Sequence, residues 1–176
     1  TGCVGSTIAY TLAVTGRASE IVMVDINEEK ALGEALDIRQ GIPFCGSSVS
    51  VYAGSYRDAA GSDIVVLTSG VARKPGQSRL DLTQTNGNIT KSIIPEITKY
   101  ADKAVYVIVS NPVDILTYVF MKCSDIPENR IIGSGTILDT ARLRSRICEY
   151  YNNNQKNFHA YVFGEHGASA FVPWSL

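Results

Sequence analysis

The sequence predicts a doubly wound α/β fold built on a parallel sheet. Three observations carry this. Short apolar runs rich in β-branched residues recur at 21–25, 63–68 and 104–109. Longer amphipathic stretches alternate with them, and turn residues mark the boundaries. The runs are nearly continuous in hydrophobicity rather than alternating, which suits strands covered on both faces.

Taken in order, the first helix is expected over about 4–16, directly after Gly2 and Gly5. Ile21-Val22-Met23-Val24-Asp25 reads as a buried strand and 28–40 as the next helix. A weaker strand follows at 48–53, then the strong one at 63–68. Residues 70–79 are polar and follow a buried strand, where such folds place ligands. A helix is expected over 79–100, although Gly87 and Pro95 weaken its continuity. The strand 104–109 leads to helices at 112–122 and 137–151, the latter followed by Asn152-Asn153-Asn154. A last weak strand is expected at 158–163.

Composition narrows the function classes. The 176 residues carry 16 Lys plus Arg against 17 Asp plus Glu, a formal net charge of −1, which excludes a broad basic surface for nucleic acid. With 45% hydrophobic residues the chain can bury a core, so disorder is excluded. No run approaches the ~18–20 apolar residues of a membrane span. Cys3, Cys45, Cys123 and Cys148 form no CxxC pair, so no zinc or other metal site is expected. They read as reduced thiols of a cytoplasmic protein, and no signal peptide is recognised. The chain opens at Thr1-Gly2-Cys3-Val4-Gly5 and ends at Trp174-Ser175-Leu176, which reads as a piece of a longer protein.

Two local patterns carry chemistry. Gly2 and Gly5 fit the last two glycines of a G-x-G-x-x-G turn, with Gly2, Val4 and Gly5 presenting backbone N–H groups to a pyrophosphate at a helix N-terminus. Asp25 ends the next strand, 20 residues after Gly5, where an acid accepts hydrogen bonds from an adenosine ribose and repels a 2′-phosphate. NAD is therefore the expected cofactor. The second pattern is His166 in Gly164-Glu165-His166-Gly167, one of two histidines and a candidate for proton transfer near neutral pH.

Here the sequence resembles a family, the NAD-dependent lactate and malate dehydrogenases, over essentially its whole length. Gly-Glu-His-Gly at 164–167 is similar to the family's active-site histidine motif, and Asp139-Thr140-Ala141-Arg142 to its Asp-x-x-Arg helix. Ser110-Asn111-Pro112-Val113-Asp114-Ile115-Leu116-Thr117-Tyr118 resembles a lactate dehydrogenase phrase, and Arg73-Lys74-Pro75-Gly76-Gln77-Ser78-Arg79 the active-site lid. The resemblance implies a Rossmann-like domain over 1–110, lacking its first strand, and the beginning of an α+β catalytic domain over 111–176. It also implies roles. His166 would exchange a proton with the substrate oxygen, and Asp139 would hold the other imidazole nitrogen. Arg142 would bind the substrate carboxylate, and Arg79 would polarise the carbonyl. Asn111 would donate to substrate or nicotinamide, with a cis bond to Pro112. A homotetramer or dimer is implied for the whole protein.

The resemblance points to pyruvate and L-lactate. Arg73 points the other way, because it stands at the family's specificity position and a buried arginine needs the second carboxylate of oxaloacetate. Malate dehydrogenase is thus the alternative. Arg144 and His159 match positions that bind fructose 1,6-bisphosphate in regulated bacterial members. Gly167-Ala168-Ser169-Ala170 lacks the acids that the family often carries at 168 and 170. Two remoter readings compete. One is a short-chain dehydrogenase, from Thr1-Gly2-Cys3-Val4-Gly5 and the Tyr118/Lys122 spacing; the other is a non-catalytic NAD-binding module. The conjunction of Arg79, Asp139, Arg142 and His166 argues against the last, since binding alone needs none of them.

Overall fold

A computed structural model describes residues 1–72, 76 and 79–175, the side chain of Arg79 excepted. Among the described residues five α-helices and five strands run in the order α1 (Cys3–Val14), β1 (Glu20–Met23), α2 (Glu28–Gly41), β2 (Ser50–Ala53), β3 (Ile64–Leu67), α3 (Arg79–Thr98), β4 (Val105–Ile108), α4 (Val113–Cys123), β5 (Ile131–Gly133) and α5 (Ile137–Tyr151). All the strand pairs are parallel. They form a two-stranded ladder, β1–β2, and a three-stranded one ordered β3–β4–β5.

Two apolar clusters follow this division. Ala9 and Ala13 of α1 pack with Ala35 and Ile38 of α2 on Met23 and Val51 of the first ladder. The alanines let the helices approach the strands closely. In the second cluster Ile94 and Ile97 of α3 and Leu116 and Phe120 of α4 meet Leu67, Tyr106, Ile108 and Ile131. Register explains the selection. Leu67 pairs with Ile108, and Tyr106 with Ile131, so their side chains share one face.

The other face departs from expectation. Ile64, Val66 and Ile132 remain 60%, 36% and 49% exposed, so the second ladder is covered on one face where its apolar runs predicted two. The physical reason is the partition of the helices: α1 and α2 pack with β1–β2, and α3 and α4 with β3–β5.

Three local differences stand out. α3 is continuous through Gly87 and Pro95, because Ile94 and Ile97, on either side of the proline, are almost wholly buried and hold the last turn in place. The strand β5 was not anticipated; its three residues are too few to show a period. Residues 158–163 form no strand. Only Phe163 makes a β-bridge, antiparallel, to Phe171. Elsewhere local rules suffice: Asn27 caps α2 by accepting from the Lys30 N–H at 3.0 Å, and Asn152 ends α5 in the left-handed conformation at φ 48°.

Candidate active site

Parallel strands bring their carboxyl ends to one edge, and several of the predicted site residues lie beside it. At the start of α1, Gly2 is the N-cap, and no described side chain caps this end. The first-turn N–H groups have no helical acceptor, and a Cβ at Gly2 would meet nothing within 4 Å. A phosphate can therefore come up to the backbone. Gly5 also serves packing. A Cβ there would stand 2.8 Å from Thr68 Oγ1, just past the end of β3, so glycine lets α1 seat against the strand end. Val4 is about half exposed beside them.

Asp25 lies two residues past β1, with its side chain 17% exposed. Its Oδ1 accepts from the Asn27 N–H at 3.0 Å, and the Thr1 nitrogen donates to Oδ2 at 2.7 Å. Burial works against its ionisation, while the Asn27 N–H and the charge of Lys30 favour it. An ionised acid at this place suits a ribose diol and disfavours a phosphate on it. The residues at this edge fit a dinucleotide of the NAD type.

Beyond β4 the chain turns through a cis Asn111–Pro112 bond into α4. Asn111 itself is exposed at the edge. Its carbonyl accepts from Asn86 Nδ2 at 2.7 Å, and Asn86 also bonds Val71 in both directions, accepting from its N–H at 2.9 Å and donating to its O at 3.3 Å. Asn86 is thus a brace between the Asn111 turn and the base of the 70–79 segment. Sequence reasoning missed it. The available signal was a polar residue on a buried helical stripe, since Asn86, Thr90, Ile94 and Ile97 are all buried.

The remaining groups come from α5 and the segment after it. Thr136 Oγ1 donates to Val162 O at 2.6 Å, and the Val162 N–H donates to Thr140 Oγ1 at 2.9 Å. Arg144 Nε donates to Ala160 O at 2.8 Å, and its guanidinium lies 4.5 Å over the Tyr161 ring. These bonds lay residues 160–162 along α5. A small hairpin follows, closed by Phe163 and Phe171 and bent at Gly164 with φ 92°. His166 is at its tip.

There the His166 Nδ1 lies 2.5 Å from Asp139 Oδ2. A carboxylate only accepts, so this bond places a proton on Nδ1 and leaves Nε2 out of it. Arg142 Nη1 stands 3.5 Å from Asp139 Oδ1, while the Arg142 side chain is 65% exposed. One carboxylate thus serves both partners and leaves most of the guanidinium's donors open to solvent. The His166 backbone N–H donates to Asp114 Oδ2 at 2.8 Å, a partner 52 positions away that no local pattern predicts.

The structure accordingly brings His166, Asp139 and Arg142 together. Arg144 joins the segment that carries His159, but His159 itself is exposed and makes no bond among the described residues. Arg73 and the Arg79 side chain lie outside the described residues. Tyr118 and Lys122 approach because they are four apart on α4, with the ammonium 5.6 Å from the ring centre and Tyr118 59% exposed. No group of three metal-ligating side chains occurs among the described residues, and no described helix is long and apolar enough to cross a membrane.

Residues 1–133 match the NAD binding domain of lactate/malate dehydrogenases, and 136–176 match their alpha/beta C-terminal domain. The L-lactate dehydrogenase of Thermoanaerobacterium saccharolyticum is 51% identical over 99% of this chain and 56% of its own length. That of Acetivibrio thermocellus is 50% identical, over 99% and 55%. The chain therefore spans about half the length of the curated relatives it matches. Among solved structures, a lactate dehydrogenase from a Medee basin deep-sea metagenome library superposes with a TM-score of 0.94 at 43% identity, over 99% of this chain and 56% of that one. The malate dehydrogenase of Archaeoglobus fulgidus in complex with NADH gives 0.92 at 40%, over 99% and 59%. From motif, geometry and likeness together, the chain belongs to the lactate/malate dehydrogenase family.

Proposed function

We propose that the protein containing this chain is an NAD-dependent L-2-hydroxy-acid dehydrogenase that interconverts pyruvate and L-lactate. The observation that carries the reading is the His166–Asp139–Arg142 cluster at the carboxyl edge of the sheet. In reduction, His166 gives its Nε2 proton to the carbonyl oxygen of a 2-oxo acid as that oxygen gains charge. Asp139 holds the ring through Nδ1 and stabilises the charged form that supplies the proton. Arg142 binds the substrate carboxylate by two parallel hydrogen bonds, which aligns the carbonyl with His166. Arg79 polarises the carbonyl, and Asn111 donates to substrate or nicotinamide. The nicotinamide, when bound, supplies or takes the hydride. Gly2, Val4 and Gly5 receive the pyrophosphate, and Asp25 the ribose. In this reading residues 1–110 form the cofactor side and 111–176 begin the substrate side.

Arg73 favours a second reading, malate dehydrogenase, since it would pair with the second carboxylate of oxaloacetate. The deciding measurement is kcat/KM for pyruvate and for oxaloacetate with NADH, on the full-length gene product. A large preference for pyruvate supports the first reading. A large preference for oxaloacetate replaces it with the second, and turnover of neither overturns both. The family likeness also supports a homotetramer or dimer, a cytoplasmic location, and a fructose 1,6-bisphosphate effector held by Arg144 and His159. The effector is tested by its influence on the pyruvate KM in wild type and in Arg144→Ala.

A further inference from the structure

We propose that Asp114 is a positioning residue for proton transfer: by accepting the His166 backbone N–H, it sets where the hairpin tip stands relative to Asn111. The inference rests on the reading of His166 as the acid–base group.

The argument begins with what holds the hairpin. Phe163 and Phe171 close it through two backbone bonds of 2.9 and 3.0 Å. Within it the Gly167 N–H donates to Glu165 O at 2.8 Å, the Ala170 N–H to Gly167 O at 3.4 Å, and Ser169 Oγ to Glu165 Oε2 at 2.8 Å. Those bonds are internal, so they set its shape and not its place. Among the described residues, only two hydrogen bonds run from 164–170 to other elements, and both end on His166. The ring is held by Asp139 of α5 and the main chain by Asp114 of α4.

The two bonds do different work. A single bond at Nδ1 leaves the rest of the residue free to pivot about it. A second bond at the amide fixes the backbone end, and together they set the direction of Nε2. Asp114 is itself well anchored. It sits in the first turn of α4, where a negative charge is favoured, between Val113 at 2% exposure and Leu116 at 0%. The same turn begins at Asn111, whose carbonyl is braced by Asn86. Asp114 therefore refers the His166 hairpin to the same rigid base that carries Asn111. Ala168 and Ala170 offer no alternative carboxylate within the hairpin, and Glu165 is engaged by Ser169.

The test uses the full-length gene product. Asp114→Ala is expected to lower kcat about 10- to 100-fold, the scale of a misplacement near 1 Å, with the KM for NADH within about twofold of wild type. Hydrogen exchange of the peptide spanning 160–172 is expected to quicken. Asp114→Asn keeps an acceptor and is expected to restore most of the kcat and the slow exchange. An Asp114→Ala kcat within twofold of wild type overturns the proposal. So does an Asp114→Asn kcat as low as that of the alanine variant. If Asp114→Ala does not fold, Asp114→Glu keeps the charge and displaces the acceptor by one methylene; an unchanged kcat there is equally decisive. His166→Gln is the control. Should it keep full turnover, the reading of His166 fails; should it lose turnover while Asp114→Ala does not, only the present inference fails.

Discussion

The β3–β4–β5 half of the molecule and the arm formed by residues 137–175 are held together in opposite ways. In the first, Tyr106, Leu116 and Phe120 are completely buried, with the Tyr106 and Phe120 rings 4.7 Å apart. In the arm, Cys148 is the one buried hydrophobic residue among those described, while Tyr150 and Trp174 are 82% and 81% exposed. The arm is shaped by directed bonds within it, Thr140 to Val162, Arg144 to Ala160 and Asp139 to His166, and tied to the rest by Thr136 to Val162 and Asp114 to His166. A hydrogen bond contributes only ~1 kcal/mol net to stability, but it fixes direction to a fraction of an ångström. Apolar burial is the reverse, large in energy and tolerant in geometry. Stability therefore resides in one region and alignment of the candidate chemistry in the other.

That separation can be broken at either end. The largest effect is expected from His166→Gln. It should lower kcat by about 10²- to 10⁴-fold, roughly 3–5 kcal/mol in the barrier, and leave the urea midpoint of unfolding unmoved. A large loss of stability instead would mean that the arm supports the fold. Phe120→Ala should do the converse. Removing a fully buried ring costs about 3–5 kcal/mol, read as a lower urea midpoint, while kcat per folded molecule at low temperature stays near wild type.

Tyr106 sharpens the comparison through pH. Its hydroxyl donates to Ala101 O at 2.9 Å. Burial first, and then the charge of Asp102, push its pKa up to about 12. The folded state thus keeps the proton longer than the unfolded state, whose tyrosine titrates near 10. The contribution is whole below pH 10 and is lost as pH rises toward 12, at about 1.4 kcal/mol per unit. Tyr106→Phe lacks this loss. Its disadvantage of about 1 kcal/mol at pH 8 should be erased near pH 11 in urea titrations; a gap independent of pH would show that the hydroxyl titrates alike in both states. The smallest effect belongs to Gly5→Ala. Its Cβ would press on Thr68 Oγ1, a side chain that can turn away, so a cost of about 1 kcal/mol is expected. Gly5→Ala combined with Thr68→Ala should recover it; failure to recover would place the strain in the backbone.

Reading the sequence succeeded where side-chain period decides the element. The runs at 48–53, 63–68 and 104–109 each contain a strand, the run at 21–25 overlaps β1, and the five described helices lie where amphipathic spacing put them. It failed where the element is defined by its neighbours. β5 exists because Ile131, Ile132 and Gly133 find Tyr106, Val107 and Ile108 beside them. Residues 158–163 resemble a strand but find no partner strand, and lie along α5 instead.

The candidate site divides in the same way. By itself the sequence determined which residue types stand at the strand ends and glycine turns, because chain order and strand spacing carry Gly2, Gly5, Asp25 and Asn111 to one edge of a parallel sheet, and the Gly-Glu-His-Gly motif marked His166. Motifs added Asp139 and Arg142. The resemblance implied the Asp139–His166 pair; only the tertiary structure showed that Arg142 shares that carboxylate, that Asn86 braces Asn111 and that Asp114 holds the His166 amide. Those pairs join residues 25, 27 and 52 positions apart, as well as two on a single helix turn. Local preference acts over a few residues, and bonds of that span form only after burial of the apolar clusters has brought their elements side by side.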